Sequence, residues 1–320
     1  MPLPKPWDAS LSLPLIAAPM FLASGPELVT ACCEQGVLGT MPALNARTTE
    51  DLDRWLTGLE ARRAAHPAGG PWPLAPYGVN LIVHRTNPRL EADLAVLERH
   101  RVPLVITSLG AVSELVTRVH AWGGRVFHDV TNAAHARKAA AAGVDGIICV
   151  AAGAGGHAGT LNPFALLGEV RQVFDGTLVL AGCLSTGRDV LAARAMGADL
   201  AYMGTRFIAT HEARADAAYK QMVVDSYAAD VVYTPAVSGI PASFLKASLE
   251  RAGYDLSQLS RPGELNYGEK LKPVSDEAKA WKTVWSAGQG VANIHDVVGT
   301  AELCARMREE YRAAREALLG

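Results

Sequence analysis

The chain has 320 residues, of which 49% are hydrophobic and 19% charged, and a formal net charge of -2. That length can bury a large core, as one α/β barrel or as two ordinary domains, and the composition is that of a compact folded chain. The near-neutral charge argues against broad electrostatic capture of nucleic acid or of an anionic membrane surface.

Five cysteines (Cys32, Cys33, Cys149, Cys183 and Cys304) form no CxxC pair, and their odd number and wide spacing suggest no disulfide framework. The first residues, MPLPKPWDASLSL, lack the basic-then-apolar pattern of a signal peptide. No uncharged apolar stretch of about 18 residues follows. The expected location is the cytoplasm.

LIAAPM (Leu15 to Met20) is the first apolar strand, and Ser24 with Glu27 reads as a capping pair for the helix that runs to about Gly36. VLGTMP (Val37 to Pro42) is a second strand, followed by helical spacing over Thr48 to His66. YGVNLIV (Tyr77 to Val83) and VPLVITS (Val102 to Ser108) are strands three and four, each followed by a helix, Arg89 to His100 and Ala111 to Trp122. RVFHDVT (Arg125 to Thr131) and the helix Ala133 to Ala142 form a fifth unit.

GIICVA (Gly146 to Ala151) is the sixth strand and ends in a glycine-rich loop, with a helix over Pro163 to Phe174. TLVLAG (Thr177 to Gly182) is the seventh strand, Thr186 caps the helix Gly187 to Met196, and LAYMG (Leu200 to Gly204) is the eighth strand. Eight strand-helix alternations before residue 215 predict an α/β chain of the (β/α)8 TIM-barrel type, whose strand ends build an active site. A doubly wound sheet is the rival reading, but it would need many units in one sheet or a linker between two domains, and no linker is visible.

The second half of the chain is broken by Pro235, Gly239 and Pro241, and Tyr254 to Pro273 is polar and loop-rich. WSAGQG (Trp285 to Gly290) leads toward a charged terminal helix, Ala301 to Leu319. The expected organisation is a barrel over 1–215, a mainly helical cap or substrate region over 216–290, and a helical segment over 291–320 packing on the barrel.

The chemistry concentrates in Cys149 to Gly159, CVAAGAGGHAG, where four glycines surround His157. Glycines let the main chain approach a flat or anionic ligand, and an imidazole can move a proton near neutral pH. The stretch Gly153 to Ala158 also fits G-x-G-x-x-G/A. The carboxylate that a dinucleotide site needs about 20 residues onward is missing, because Asp175 precedes its strand instead of ending it.

Gly182 after strand seven and Gly204-Thr205 after strand eight occupy the places where barrel enzymes often hold a phosphate on main-chain N–H groups. Arg206 either compensates that charge or pairs with a carboxylate. Asn80 and Ser108, at strand ends, can address the polar edges of a ring. His128, His135, His211 and His295 lack ligand spacing, so no metal is expected. Cys183 has no neighbouring base in the sequence, which favours packing over a nucleophilic role, and Cys32 and Cys33 read as helix core.

Several of these pieces occur together and in order: APM (Ala18 to Met20), GVN (Gly78 to Asn80), AGAGGHAG (Ala152 to Gly159), GRDVLAARAMGAD (Gly187 to Asp199), MGTRF (Met203 to Phe207) and WSAGQG. In them the chain resembles the nitronate monooxygenase family, formerly called 2-nitropropane dioxygenases. The resemblance implies a flavin mononucleotide (FMN) barrel with the isoalloxazine over the mouth, contacted near Ala18, Pro19, Met20 and Asn80. It places the phosphate against Gly182, Cys183, Gly204 and Thr205, with Ala181 and Met203 beside them and His157 near the reacting face. Three departures stand out. Val150 and Gly153 replace a glutamine and a glutamate of many relatives, Cys183 replaces the second of two glycines, and Asp129 stands where some relatives carry a lysine.

The activity implied is oxidation of alkyl nitronates by O2 to carbonyl compounds and nitrite, with His157 as base or anion holder. Two alternatives stay open. One is an FMN-dependent NAD(P)H oxidoreductase acting on an enoyl thioester or quinone, and the other is a non-catalytic flavin- or metabolite-binding protein. The partners expected are a small-molecule substrate and O2, with NAD(P)H in the reductase case, and neither nucleic acid nor membrane. Monomer and homodimer are both open.

Overall fold

The computed structural model describes residues 7, 9–67, 72–84, 86–237, 239–259 and 284–319. Eight strand-helix units follow one another: β1 (Leu15–Ala17), α1 (Pro26–Glu34), β2 (Leu38–Pro42), α2 (Thr49–Ala64), β3 (Tyr77–Ile82), α3 (Leu90–Arg99), β4 (Leu104–Ser108) and α4 (Ser113–Ala121) make the first four. The second four are β5 (Arg125–Val130), α5 (Ala133–Ala141), β6 (Gly146–Val150), α6 (Pro163–Arg171), β7 (Thr177–Ala181), α7 (Gly187–Ala195), β8 (Leu200–Met203) and α8 (Thr205–Ile208). The strands form one closed parallel barrel, with β8 returning to β1 through the register Leu15 with Ala201, Ile16 with Tyr202 and Ala17 with Met203. The expected (β/α)8 TIM barrel is the fold.

Side chains alternate across the barrel wall because successive strand residues point to opposite faces. Ile16, Leu104, Phe127, Ile148, Val179 and Leu200 fill the interior. Their chain neighbours Leu15, Val105, Val126, Ile147, Leu178 and Ala201 pack outward under the helices. Trp7 lies against Phe127, with ring centroids 5.8 Å apart.

Local capping explains several helix starts. Thr48 and Thr186 each form a reciprocal capping box, with Asp51 and Asp189 respectively, so the predicted role of Thr186 holds. The expected Ser24–Glu27 cap does not form. Gly25 is the N-cap of α1 and makes no side-chain cap bond. The Ser24 hydroxyl turns back instead, accepting from Met20 N at 2.9 Å and donating to Ala18 O at 3.3 Å. The loop after β1 claims that hydroxyl because its buried main-chain groups have no ladder partner.

The C-terminal region is mainly helical, as expected, but it also holds an antiparallel hairpin. It comprises α9 (Ala217–Asp225), β9 (Val231–Thr234), β10 (Ala242–Leu245), α10 (Lys246–Arg251), α11 (Leu256–Leu259) and α12 (Thr300–Leu319). Pro235, Gly239 and Pro241 sit in the hairpin connection, where they end the strands without ending the pairing of Thr234 with Ala242. Most of the loop-rich stretch predicted over Tyr254 to Pro273 lies outside the described residues. The terminal helix α12 ties down the N-terminal side of the barrel, with Arg308 donating to Gln35 O at 3.0 Å and to Ser12 Oγ at 3.3 Å.

Phe127 is among the largest fully buried side chains of the barrel interior. Phe127→Ala is expected to lower unfolding free energy by about 3–5 kcal/mol, as transfer and cavity terms add. Chemical denaturation with a constant m-value checks this.

Candidate active site

The β6 sequence is β-branched and fully apolar, so it runs through the barrel wall and releases the glycine loop at the C-terminal mouth. That loop would fray if left alone, because its polar main chain has no ladder. The segment Trp285 to Gly290 supplies the missing partners. Gly156 N donates to Ser286 Oγ at 2.7 Å, and Ser286 Oγ donates onward to Ser243 O at 2.6 Å. Ser243 N donates to Gly156 O at 2.9 Å, and Gln289 N donates to Gly153 O at 2.8 Å. On the far side of His157, the Tyr233 hydroxyl donates to Ala158 O at 2.9 Å.

His157 is therefore an exposed side chain on a backbone fastened on both sides. The close approach depends on Gly155, since a Cβ there would lie 2.9 Å from Gly288 N. Ser286 was not singled out by the sequence reading, because a serine in a loop carries no periodic signal.

The same segment reaches the eighth strand. Gly288 N donates to Thr205 Oγ1 at 2.9 Å, which leaves the Thr205 hydroxyl proton to be donated elsewhere. On the opposite side of Gly204 stand Ala18 and Met20, and Ala18 N donates to Met203 O at 2.9 Å. The Gly204 backbone has φ -100, so its conformation does not require glycine. An added Cβ would meet nothing closer than Met20 Cγ at 3.4 Å and Ala18 Cβ at 3.6 Å. A side chain here would therefore pack against Met20 and Ala18 beside α8, filling the cradle that glycine leaves between them. Asn45 shapes the wall opposite by accepting from Leu22 N at 2.8 Å and donating to Met20 O at 2.9 Å and Ser24 O at 2.8 Å.

After β7, Gly182 and Cys183 both take positive φ, 129 and 59 degrees. Cys183 thus keeps a backbone conformation that favours glycine. Its predicted packing role is corrected: unlike the buried Cys32 and Cys33, Cys183 is exposed. Its Sγ lies 3.8 Å from Ala152 O and 3.7 Å from Gln289 Oε1. Desolvation by the surrounding loop atoms, followed by the charge of Asp189, raises its pKa and disfavours a thiolate.

Arg206, for which two roles were open, is buried and donates to Asp296 Oδ1 at 3.0 Å and Asp296 O at 3.1 Å. Ala181 belongs to the interior set, whereas the Met203 side chain packs outward under the helices. Pro19 is half-buried in the loop after β1.

The floor of the mouth is polar on one side only. Asn80, Ser108 and Asp129 lie in the C-terminal halves of β3, β4 and β5 with the parity of the interior residues. Asn80 Nδ2 donates to Ser108 Oγ at 2.8 Å, and Ser108 Oγ donates to Asp129 Oδ2 at 2.5 Å. Asp129 Oδ1 is buried without a partner. Burial pushes the Asp129 carboxyl up to about 6, partly offset by the bond from Ser108. Tyr202, on β8, has its pKa raised by burial first and by Asp129 second.

His128 points the other way. Its Nδ1 lies 2.8 Å from Thr107 Oγ1, and burial lowers its pKa to about 4. Among the described residues no group of three His, Cys, Asp or Glu side chains could hold a metal ion, and no helix is long and apolar enough to cross a membrane.

A closed parallel barrel with glycine turns after its last two strands and a fastened histidine loop at its mouth has the fold of the FMN-dependent oxidoreductase barrels. Within that class the chain belongs to the nitronate monooxygenase family, whose model matches residues 72–310. It is 27% identical to a nitronate monooxygenase of Paraburkholderia phytofirmans, over 95% of this chain and 94% of that protein. It is 29% identical to a (3aS,4S,5R,7aS)-5-hydroxy-7a-methyl-1-oxo-octahydro-1H-indene-4-carboxyl-CoA dehydrogenase of Rhodococcus jostii, over 75% of this chain but only 65% of that protein's length. Among solved structures, nitroalkane oxidase from Streptomyces ansochromogenes superposes with a TM-score of 0.79 at 27% identity, covering 96% of this chain and 97% of that one. FabK from Thermotoga maritima superposes with a TM-score of 0.77 at 25% identity, covering 97% and 96%.

Gly204→Val gives the test of the cradle. The variant is expected to fold with nearly unchanged thermal stability, because the backbone at Gly204 does not require glycine and the added Cβ finds ordinary contact distances. Its FMN affinity is expected to fall by roughly tenfold or more, the equivalent of about 1.4 kcal/mol. Flavin fluorescence titration measures that loss beside a thermal melt.

Proposed function

We propose that this protein binds FMN at the barrel mouth and oxidises alkyl nitronates with O2 to carbonyl compounds and nitrite. The observation that carries this reading is the fastening of His157. One segment, Trp285 to Gly290, holds the histidine loop through Ser286 and Gln289 and also reaches Thr205 beside the Gly204 cradle. A proton-transfer residue and an anion-holding wall are thereby built into one rim.

The residues fit the cofactor. Main-chain groups around Gly182, Cys183, Gly204 and Thr205 would hold its phosphate, and Ala18, Pro19 and Met20 would flank its ring, with Asn80 and Ser108 below. Bound there, FMN supplies the electron-accepting chemistry that no side chain of the site offers. His157, exposed above the mouth, takes the α-proton from a neutral nitroalkane at a ring nitrogen, or holds the nitronate oxygens when protonated. The apolar loop residues around Met20 exclude water from one face. Asn45 and Ser24 keep that loop in place.

A second reading, oxidoreduction of an organic thioester with NAD(P)H, is supported by the similarity to the carboxyl-CoA dehydrogenase. Anaerobic mixing of the flavoprotein with nitronate, NADH and NADPH separates the two, since the true donor bleaches the flavin.

Two outcomes are expected of the first reading. Denaturation releases FMN, and an adenine-containing flavin on chromatography overturns the cofactor assignment. His157→Asn retains flavin and loses roughly 10²-fold or more in kcat/KM on a neutral nitroalkane, the usual scale for a lost general base. Pre-formed nitronate loses less, because its proton is already gone. Equal losses on both forms reject the base and leave the anion-holding role.

A further inference from the structure

The polar chain on the barrel floor has a direction. Asn80 donates to Ser108 and Ser108 donates to Asp129, so Oδ2 is fixed as an acceptor. A proton taken up by this carboxyl therefore resides on Oδ1, which is buried and without a partner. Among the described residues no cation answers the charge. The interior residues around it are Ile148, its register neighbour on β6, half-buried Val150, and Tyr202 on β8. On β5 itself His128 is turned toward Thr107, and Cys149 on β6 packs in the outer core, so neither faces the carboxyl. Tyr202 stays neutral, since burial and Asp129 both oppose its ionisation. Asp129 is thus the one titratable group among the described residues of this floor whose charge can change near neutral pH.

A lone charge under a ring in a low-dielectric barrel acts on that ring through space. Oxidised FMN has a neutral ring. Reduction by two electrons and one proton leaves the ring with one negative charge.

We propose that Asp129 is a positioning charge that makes this protein's preference between oxidised and reduced FMN depend on pH, the ionised carboxylate opposing the anionic reduced ring and the protonated carboxyl tolerating it. The inference rests on FMN binding at the mouth as argued above. It assigns Asp129 no contact with the substrate. By linkage, reduced FMN bound at the mouth raises the proton affinity of Asp129 by the same factor.

The test is the dissociation constant of each form of FMN between pH 5 and pH 8, with reduced FMN prepared and kept anaerobically with dithionite. The quantity read is the reduced-to-oxidised ratio in the unaltered protein divided by that ratio in Asp129→Asn, which cancels the flavin's own titration. Asparagine keeps an acceptor for Ser108. The quotient is expected to lie near one at pH 5 and to rise roughly tenfold by pH 8, no faster than tenfold per pH unit, the limit for one proton.

Ser108→Ala removes the bond that favours the charged carboxylate, and it is expected to move the midpoint of the rise to higher pH. A merely structural role for Asp129 moves neither the slope nor its midpoint. A quotient flat across the range overturns this inference alone. Should Asp129→Asn fail to fold, the ratio in Ser108→Ala is divided by that in the unaltered protein instead, and a flat result from pH 5 to pH 8 overturns it likewise. Failure of the unaltered protein to bind either form of FMN overturns the cofactor reading itself.

Discussion

Closure of the barrel through β8 and β1 is the constraint on which everything else rests. Once Ile16 pairs with Tyr202, no strand edge is left, and each wall residue must face either the interior or the helices. This parity fills the lower interior with Ile, Leu, Val and Phe. It also delivers Asn80, Ser108, Asp129 and Tyr202 to the same end of the barrel from strands far apart in the chain. A strand slipped by one residue would send those polar groups under the helices, where nothing could satisfy them.

The mouth depends on a second, more local device. A glycine loop long enough to approach a ligand carries main-chain groups that the barrel cannot bond. Ser286 resolves this by taking one loop N–H and passing its own proton to the β9–β10 hairpin, so loop and hairpin share one hydroxyl. The Tyr219 hydroxyl holds Ser286 O in turn, and its ring stacks on Trp285 with centroids 5.0 Å apart. Arg251 lies over the same Trp285 ring at 3.6 Å. The aromatic stack fixes the segment that fixes the loop, and a flexible glycine sequence becomes a defined support for His157.

The electrostatics of the floor follow from the fold as well. The barrel interior tolerates an acid only where donors reach it, and Ser108 supplies one donor to a group with two oxygens. Burial, with one oxygen unanswered, raises the Asp129 carboxyl to about 6, unlike Asp145, whose pKa is lowered by the bonds it accepts from Val126 N, His120 and Arg125 despite its own desolvation. Two aspartates on one barrel thus differ in charge behaviour through how far each is desolvated and how many donors each receives.

Local patterns alone determined the architecture. The period-two and unbroken apolar runs, the capping residue Thr186, and the glycines ending strands seven and eight are properties of neighbouring residues, and the eight units they define appear where expected. Cys32 and Cys33 read as core for the same reason, lying on the buried face of one helix.

Tertiary structure decided whatever depends on residues far apart in sequence. Ser24 looked like a cap, yet the loop after β1 competed for its hydroxyl and won. Cys183 looked like packing, yet a left-handed turn set it at the rim. The hairpin over Val231 to Leu245 was hidden because Pro235, Gly239 and Pro241 break local patterns without breaking the pairing between strands. Ser286 stands 130 residues from Gly156, and Ser108 stands 21 from Asp129. No periodicity encodes a hydrogen bond across such distances, because which side chains meet is set only when the barrel closes and its wall assigns each residue an inside or an outside.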